Sequence, residues 1–391
     1  MRILVLSKRQ YTGKDLLDDQ YGRLYELPVA LKSRGHQVIG ITLSYRRRTE
    51  GWHRSGKATG SKERYHVVSN TSGKITSESG NTGVDWLSIN ALPWGVWNYI
   101  KQLTKITSEF RPDVVWACSD AFHAISGALY SKATNVPLVI DLYDNFESFP
   151  ATHLPGIAPA FRAACRHAVG LTVVSHSLSN HVVSKYKSKA RVKVVINGVD
   201  QEIFYPRNRE QARRTLGLPL DVQLIGTAGA ISSDREIGLL FEAFLNLAES
   251  NPDLHLVWAG RDDGTPALYD HPRIISLGAL PHDRVPHLFS ALDVAVVCNR
   301  DTPFGRHCFP QKLSEIIATE IPFVSARLGD AARLLKNHPH CLYEPGNLED
   351  LIYKTKRQLT NPHAITDIHI PSWTDLGLLA EDMFEKVIRK T

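Results

Sequence analysis

Short runs of unbroken apolar residues alternate along the chain with longer stretches in which apolar positions return every three or four residues. The first run is RILVLS, residues 2–7. In GRLYELPVALKSRGHQVIGIT (22–42) it is followed by a helical stretch, an Arg-Gly-His turn and a second apolar run. Further runs are PDVVWAC (112–118), PLVIDLY (137–143) and LTVVS (171–175), separated by the helical patterns HAISGALYSKAT and APAFRAACRHA. Unbroken apolar strands separated by helices predict a parallel sheet covered on both faces. At VKVVINGVDQEIFYPRN (192–208) the series stops in an Asn-Gly turn and a proline exit, and a fresh one begins. VQLIGTAGA, LHLVWAG, RIISLGAL, DVAVVC and PFVSA supply its strands, with GLLFEAFLNLAES and VPHLFSAL as helices. The pattern therefore predicts an α/β protein of two Rossmann-like, doubly wound domains facing each other. Ligands of such sheets bind outside the carboxyl ends of the strands, so the cleft between the two is the expected site.

One stretch joins this pattern to charge. In HCFPQKLSEIIATEIPFVSA (307–326), Pro310 suits the first position of a helix and Leu313, Ile316 and Ile317 mark its apolar side. Lys312 and Glu315, three residues apart, share another face within the first two turns. A helix mouth carries free N–H groups and a partial positive charge, so a lysine beside it adds to an anion site. A carboxylate accepts hydrogen bonds from two neighbouring hydroxyls, the arrangement a ribose offers. Diphosphate and ribose together spell a nucleotide. A plain exposed ion pair on a helix ending at Pro322 satisfies the same spacing, and the local pattern leaves both readings open.

Composition narrows the class. A chain of 391 residues with 43% hydrophobic and 22% charged residues is an ordinary globular protein of about two domains. No apolar stretch approaches a membrane span, and MRILVLSKRQ turns polar too soon for a signal peptide, so a cytoplasmic location is expected. The five cysteines, Cys118, Cys165, Cys298, Cys308 and Cys341, lack C-x-x-C spacing and read as reduced thiols, neither a disulfide framework nor a zinc site. The net charge of +6 is largely local: between Tyr45 and His66 stand Arg46, Arg47, Arg48, Arg54, Lys57, Lys62 and Arg64 against Glu50 and Glu63. This basic segment runs on into SNTSGKITSESGNTG and is expected as a long surface loop, either simply solvated or a dock for an anionic partner. The sequence contains neither G-x-G-x-x-G with a downstream acid nor a P-loop.

In order along the chain, LYELPVALKSRGHQV, VVINGVDQEIF, LGALPHDRVPHLFSALDVAVV and PQKLSEIIATEIPFV resemble segments of one family, and SWTDLGLLAEDMFEKVI is similar to its closing helix. That family is the retaining, GT-B-fold glycosyltransferases of the glycogen-synthase-like and mannosyltransferase-like group (glycosyltransferase family 4-like, glycosyl transferases group 1). The resemblance implies an acceptor-side domain over 1–198, a nucleotide-sugar donor domain over 199–370, and a helix over 371–391 returning to the first domain. It implies transfer of a sugar from a UDP-, GDP- or ADP-sugar to a hydroxyl of a sugar, lipid-linked or other acceptor, with retention, as in bacterial surface polysaccharide or glycoconjugate synthesis. No cofactor and no metal are expected, and no nucleic acid. An anionic membrane surface, met through residues 45–66 by a peripheral protein at the inner membrane face, is a further expected partner.

Carried over by position, the resemblance puts Glu315 on the ribose and Arg235 and Lys312 on the diphosphate. Gly13, His307 and Leu313 join the donor-binding set. His123 and Asp144 join Arg235 and Lys312 as catalytic candidates, with Asp120 and Tyr143 on the acceptor side. Asp141 and Glu147 follow the same strand as Asp144. His307 stands where many members carry a first glutamate, Ala230 where an arginine is usual, and Glu320 where glycine is common. The leaving diphosphate would take the acceptor's proton itself, so no protein nucleophile is needed, and His123 would position the sugar or acceptor. Two other readings stay open: a nucleotide-sugar epimerase of the same fold, and a noncatalytic nucleotide or nucleic-acid binding module, which the charge segment favours only weakly.

Overall fold

The computed structural model describes residues 1–11, 14–57, 64–69, 83–92 and 95–389. Their contacts divide the chain into two compact units, Met1–Ile196 with Trp373–Thr391, and Asn197–Ser372.

The first unit is built on one sheet. Its strands are β1 (Arg2–Lys8), β4 (Gln37–Ser44), β5 (Gly51–Lys57), β6 (Arg64–Ser69), β7 (Val84–Asn90), β8 (Val114–Ala117), β9 (Leu138–Leu142), β10 (Gly170–Val173) and β11 (Arg191–Val194). A two-stranded ribbon of β2 (Gln10–Tyr11) and β3 (Lys14–Asp15) stands apart. The sheet order is β11-β10-β9-β8-β1-β4-β7-β5-β6. From β11 to β7 the pairing is parallel, so the strands end on one rim and their connections run back over the faces. The strands β1, β8 and β9 are buried almost throughout, as unbroken apolar runs require.

The basic segment departs from expectation. Residues 51–57 and 64–69 form an antiparallel pair that extends the sheet, with β5 pairing antiparallel to β7. Arg54, Lys57, Arg64 and His66 interrupt any apolar run in the sequence there, and backbone pairing of β5 with β7 and of β6 with β5 sets the arrangement. Arg54 is fixed there by Asp85 at 2.7 Å. Lys62, Glu63 and residues 70–82 of the serine- and glycine-rich stretch lie outside the described residues, as does Gly13.

A buried ion pair fastens the core of this unit. Arg23, in the helix Arg23–Ser33, donates to both carboxylate oxygens of Asp141 at 2.8 and 2.7 Å, and both residues are fully buried. Arg23 also donates to the carbonyls of Val195 and Ile196, and Thr172 donates to Asp141. With its carboxylate so occupied and fully buried, Asp141 serves the core of this unit. Glu147 is likewise engaged by Arg162, His181 and Lys185. The helix Trp373–Ile388 packs on Arg23–Ser33, and an added Cβ on Gly377 would lie 2.9 Å from that of Ala30.

The second unit carries a six-stranded, wholly parallel sheet of β12 (Gln223–Ala228), β13 (Leu254–Ala259), β14 (Ile274–Ser276), β15 (Val294–Val297), β16 (Phe323–Ala326) and β17 (Leu342–Tyr343), in the order β14-β13-β12-β15-β16-β17. Two apolar clusters cover its faces. The helix Gly238–Ser250 contributes Leu240, Phe241, Phe244 and Leu247 to one of them, and each such side chain is worth roughly 1.5–3 kcal/mol of burial. On the other side Leu313, Ile316 and Ile317 of the helix Gln311–Ala318 are buried. Pro310 lies one position earlier than expected, as the cap before the first helical residue, with ψ 119°. Thr319 and Glu320 close that helix on the carbonyls of Ile316 and Ile317, and Glu320 is held at φ 52°.

Candidate active site

In the second unit the strands β12 and β13 end in glycines that nearly touch. Gly229 follows β12 at φ 108° and Gly260 follows β13 at φ 150°, and a Cβ on Gly260 would stand 1.7 Å from the carbonyl oxygen of Gly229. No other residue fits there. The space left bare of side chains is partly taken by Lys312. Its Cε and Nζ lie 3.5 and 3.7 Å from where a Gly229 Cβ would be, and Nζ reaches Thr227 Oγ1 at 3.5 Å. Burial first, and the neighbouring Arg235 after it, lower the Lys312 pKa to about 8 against the opposing pull of Cys298 and Glu315.

Arg235 sits in the short 3-10 turn Ser233–Arg235 after β12, with its guanidinium 4.3 Å from the ring centre of Phe304. Phe304 belongs to the short helix Pro303–His307, which ends in the partly buried His307. Glu236, next to Arg235, takes the left-handed conformation at φ 57° and accepts from the Gly346 amide. Glu315 is buried on the helix Gln311–Ala318, one turn beyond Lys312. Asn197 Nδ2 donates to the Phe309 carbonyl and Ser314 Oγ to the Asn197 carbonyl, which hold the mouth of that helix in place. The sequence-predicted Arg235, Lys312 and Glu315 thus form one group. Leu313 does not join it: its side chain is in the core and its amide donates to the Pro310 carbonyl, so neither is offered to a ligand.

In the first unit a second group gathers where β1, β8 and β9 end. Asp120 caps the helix Ala121–Thr134 by accepting from the His123 amide, and its Oδ1 lies 2.7 Å from His123 Nδ1. Tyr45 donates to Oδ2 of the same carboxylate at 3.0 Å. Burial raises the Asp120 pKa, yet His123 and then Lys8 outweigh it and hold the carboxyl at about 2. His123 is fully buried, and its Nε2 has no hydrogen-bond partner. Lys8, the last residue of β1, donates to Tyr143 Oη at 3.2 Å and lies 5.3 Å from the Phe149 ring centre. Burial lowers its pKa against the pull of Asp120 and Asp144. Asp144 is itself buried and accepts from the Asn145 amide. Asp120, His123, Tyr143 and Asp144 are therefore brought together, as the sequence predicts, through a lysine it did not single out. Ser119, at φ 84°, turns the chain sharply between β8 and that helix while its hydroxyl accepts from the Lys8 amide.

Sequence reasoning missed Lys8, Tyr45, Phe304 and the glycine pair. The signals were slight: a charge closing the apolar run RILVLSK, and a glycine just beyond each of two strands in TAGA and WAG.

Two domains, each a parallel sheet flanked by helices, with charged residues at the carboxyl rims, define the GT-B class. Solved structures agree over nearly the full length. Sucrose-phosphate synthase from Thermosynechococcus elongatus superposes with a TM-score of 0.70 at 14% identity, covering 99% of this chain and 95% of that one. Anabaena HepE in complex with UDP-glucose gives 0.66 at 17%, covering 100% and 98%. The Glycosyltransferase Family 4 model matches residues 23–203 and the Glycosyl transferases group 1 model residues 222–361. The chain belongs to this glycosyltransferase family, as its sequence resemblance implied. Among curated relatives it is 25% identical over 267 residues to TuaC of Bacillus subtilis (strain 168), named for teichuronic acid biosynthesis as a glycosyltransferase; the match spans 67% of this chain and 66% of that relative.

Proposed function

We propose that the protein is a retaining glycosyltransferase that moves a sugar from a nucleoside diphosphate sugar to an acceptor hydroxyl in the assembly of a surface polysaccharide or glycoconjugate. One observation carries the reading: Arg235 stands close enough to the buried Lys312 to add to the depression of its pKa, beside backbone stripped of side chains. Such an arrangement is unfavourable until an anion with several oxygens enters, and a diphosphate has them. Glu315, one helical turn away, is of the type that accepts from both ribose hydroxyls. HepE, a structural relative, is seen with UDP-glucose, which supports a nucleotide-sugar donor here.

The proposed chemistry follows from the charges. As the bond between sugar and diphosphate breaks, negative charge grows on the leaving oxygens, and Arg235 and Lys312 stabilise it without moving. The acceptor hydroxyl enters on the face the leaving group departs from, and a diphosphate oxygen takes its proton. His123 Nε2, buried and unpartnered, supplies a hydrogen-bonding atom for a sugar hydroxyl, while Asp120 fixes the ring through Nδ1. His307 belongs to the donor side in this reading.

The deciding experiment is thermal stabilisation by UDP, GDP, ADP and their sugars, on the parent protein and on Glu315→Ala. One nucleotide should raise Tm in the parent by several degrees and in the variant by much less. Absence of a rise with every nucleotide would sink the reading and favour a noncatalytic role.

The anionic membrane surface is proposed as the place of action. Arg46, Arg47 and Arg48 are exposed, Arg48 is hydrogen-bonded to Asn90, and from there the chain leads into exposed Leu92, Val96, Trp97 and Ile100. Arginines beside an exposed aromatic and aliphatic face suit an anionic bilayer. Among the described residues no helix is long and apolar enough to cross a membrane. Sedimentation with anionic vesicles should fall sharply in an Arg46→Ser, Arg47→Ser, Trp97→Ser variant; equal sedimentation would remove the proposal.

A further inference from the structure

The second unit holds a cluster of histidines that the transfer chemistry does not use. His338 and His340 flank Pro339 in the turn leading into β17, and His363 follows the helix Leu348–Thr360. One ring nitrogen from each lies within 4.8 Å of the others. Three imidazoles around a tetrahedral zinc ion need their nitrogens about 3.4 Å apart, given zinc–nitrogen bonds near 2.0–2.1 Å. Binding would close that difference by rotation of the rings, of which His363 is exposed.

The surroundings are built to hold these rings in place. Lys354 donates to the Pro339 carbonyl at 3.0 Å, and the His338 amide donates to the Leu335 carbonyl at 2.8 Å. Gln358 accepts from the His363 amide at 2.9 Å and donates to the Phe323 carbonyl at 3.2 Å, which ties the segment after the helix to the sheet. His340 Nε2 is buried with no hydrogen-bond partner, beside a cavity of about 220 Å³ lined by His340, Arg357, Gln358, Asn361 and His363. Asp367 places a carboxylate oxygen 3.2 Å from His338 Nε2, a group that can orient a ligating ring or join the set. The His340 and His363 rings pack edge to face at 4.8 Å between centres, which keeps the two imidazoles side by side.

We propose that His338, His340 and His363 form a site for a divalent transition ion of the zinc class, which clamps the segment after Leu348–Thr360 to the turn before β17. The ligands are borderline-soft nitrogens, which suit zinc, cobalt and nickel and not magnesium or calcium. The turn precedes β17, so the site lies at the amino rim of a parallel sheet, whereas Lys312 and Arg235 belong to the carboxyl rim. Its ion is therefore structural and takes no part in sugar transfer. Arg357 and Lys354 stand close enough to repel a cation, which makes micromolar affinity the expected range.

The test uses the full chain without an affinity tag, stripped with a chelator and titrated with zinc chloride by calorimetry and with cobalt chloride by visible absorption. One ion per chain, an absorption band of tetrahedral or five-coordinate cobalt, and a zinc-dependent rise in Tm are expected. His363→Gln, at an exposed position, should keep its metal-free Tm and weaken zinc binding at least tenfold; His340→Gln should act alike. Binding of less than one ion in the parent, or unchanged binding in His363→Gln, would overturn the site. Stabilisation by the donor nucleotide should persist in His363→Gln, so failure of this proposal stays distinct from failure of the proposed transfer activity.

Discussion

The two carboxyl rims solve the problem of buried charge in opposite ways. In the first unit, Asp120 lies between His123, Tyr45 and Lys8, so charges of both signs answer one another within the protein. In the second, Lys312 and Arg235 confront each other, and Glu315 only partly offsets them. A self-compensated rim is ready for uncharged hydroxyls, because adding charge there would upset a balance already struck. A rim whose cations are only partly offset suits an anion, and the buried Lys312 there costs folding free energy. The proposed function accordingly puts the acceptor at the first rim and the diphosphate at the second.

The sharpest way to break this comparison is Lys312→Met. Nucleotide affinity should fall about 100-fold or more, by calorimetry, while the ligand-free protein gains roughly 1–3 kcal/mol at pH 7. The sign follows from the pKa: about 8 when folded and 10.5 as the reference, so folding is penalised in full below pH 8 and freed of the penalty above 10.5. Denaturant melts of the parent should therefore show stability from this group rising over that window, a rise the variant lacks. A variant that loses stability at pH 7 would deny that the lysine is strained.

Next in size, Glu315→Gln should cost about 10- to 30-fold in nucleotide affinity, and removing the nucleotide's 2′-hydroxyl should cost the variant less than the parent. An undiminished deoxy effect in the variant would place the ribose elsewhere. His123→Ala should lower the transfer rate about 10- to 100-fold and leave nucleotide affinity within twofold; an equal loss in both would erase the distinction between the rims.

Smaller effects test the compensated rim as structure. Asp120→Asn keeps a capping oxygen but removes the negative charge opposite His123 and Lys8 and the second acceptor oxygen, which Tyr45 uses, for about 1–2 kcal/mol at pH 7. The carboxyl's pKa of about 2, below its reference of 3.8, means that this contribution is complete above about pH 4 and fades as pH falls toward 2. Acid titration of the variant should be correspondingly flatter. Smallest of all, Glu320→Gly should add about 0.5–1 kcal/mol, because a left-handed residue is relieved of its Cβ.

How far the sequence disclosed this arrangement depended on how local each cause was. Strands such as RILVLS and DVAVVC declare themselves because burial on both faces demands unbroken apolar residues. The antiparallel pair Gly51–Lys57 and Arg64–Ser69 does not, since its order comes from backbone pairing of the first with β7 and of the second with the first. Lys312 and Glu315 were visible because one helix carries both. Lys8 was hidden because its partners arrive from β8 and β9, and only the strand order reveals which ends converge. The three histidines were hidden for the same reason: 23 residues separate His340 from His363, and a helix returns the chain to its starting turn.

The helix Trp373–Ile388 packs on Arg23–Ser33, although the whole of Asn197–Ser372 intervenes in the chain. During synthesis the second unit is therefore complete while the first still waits for its final piece. Until residues 373–388 leave the ribosome, the apolar face they cover is open to chaperones and proteases. A stop codon shortly before Trp373 would accordingly leave the second unit whole and strip the first of the helix that covers it.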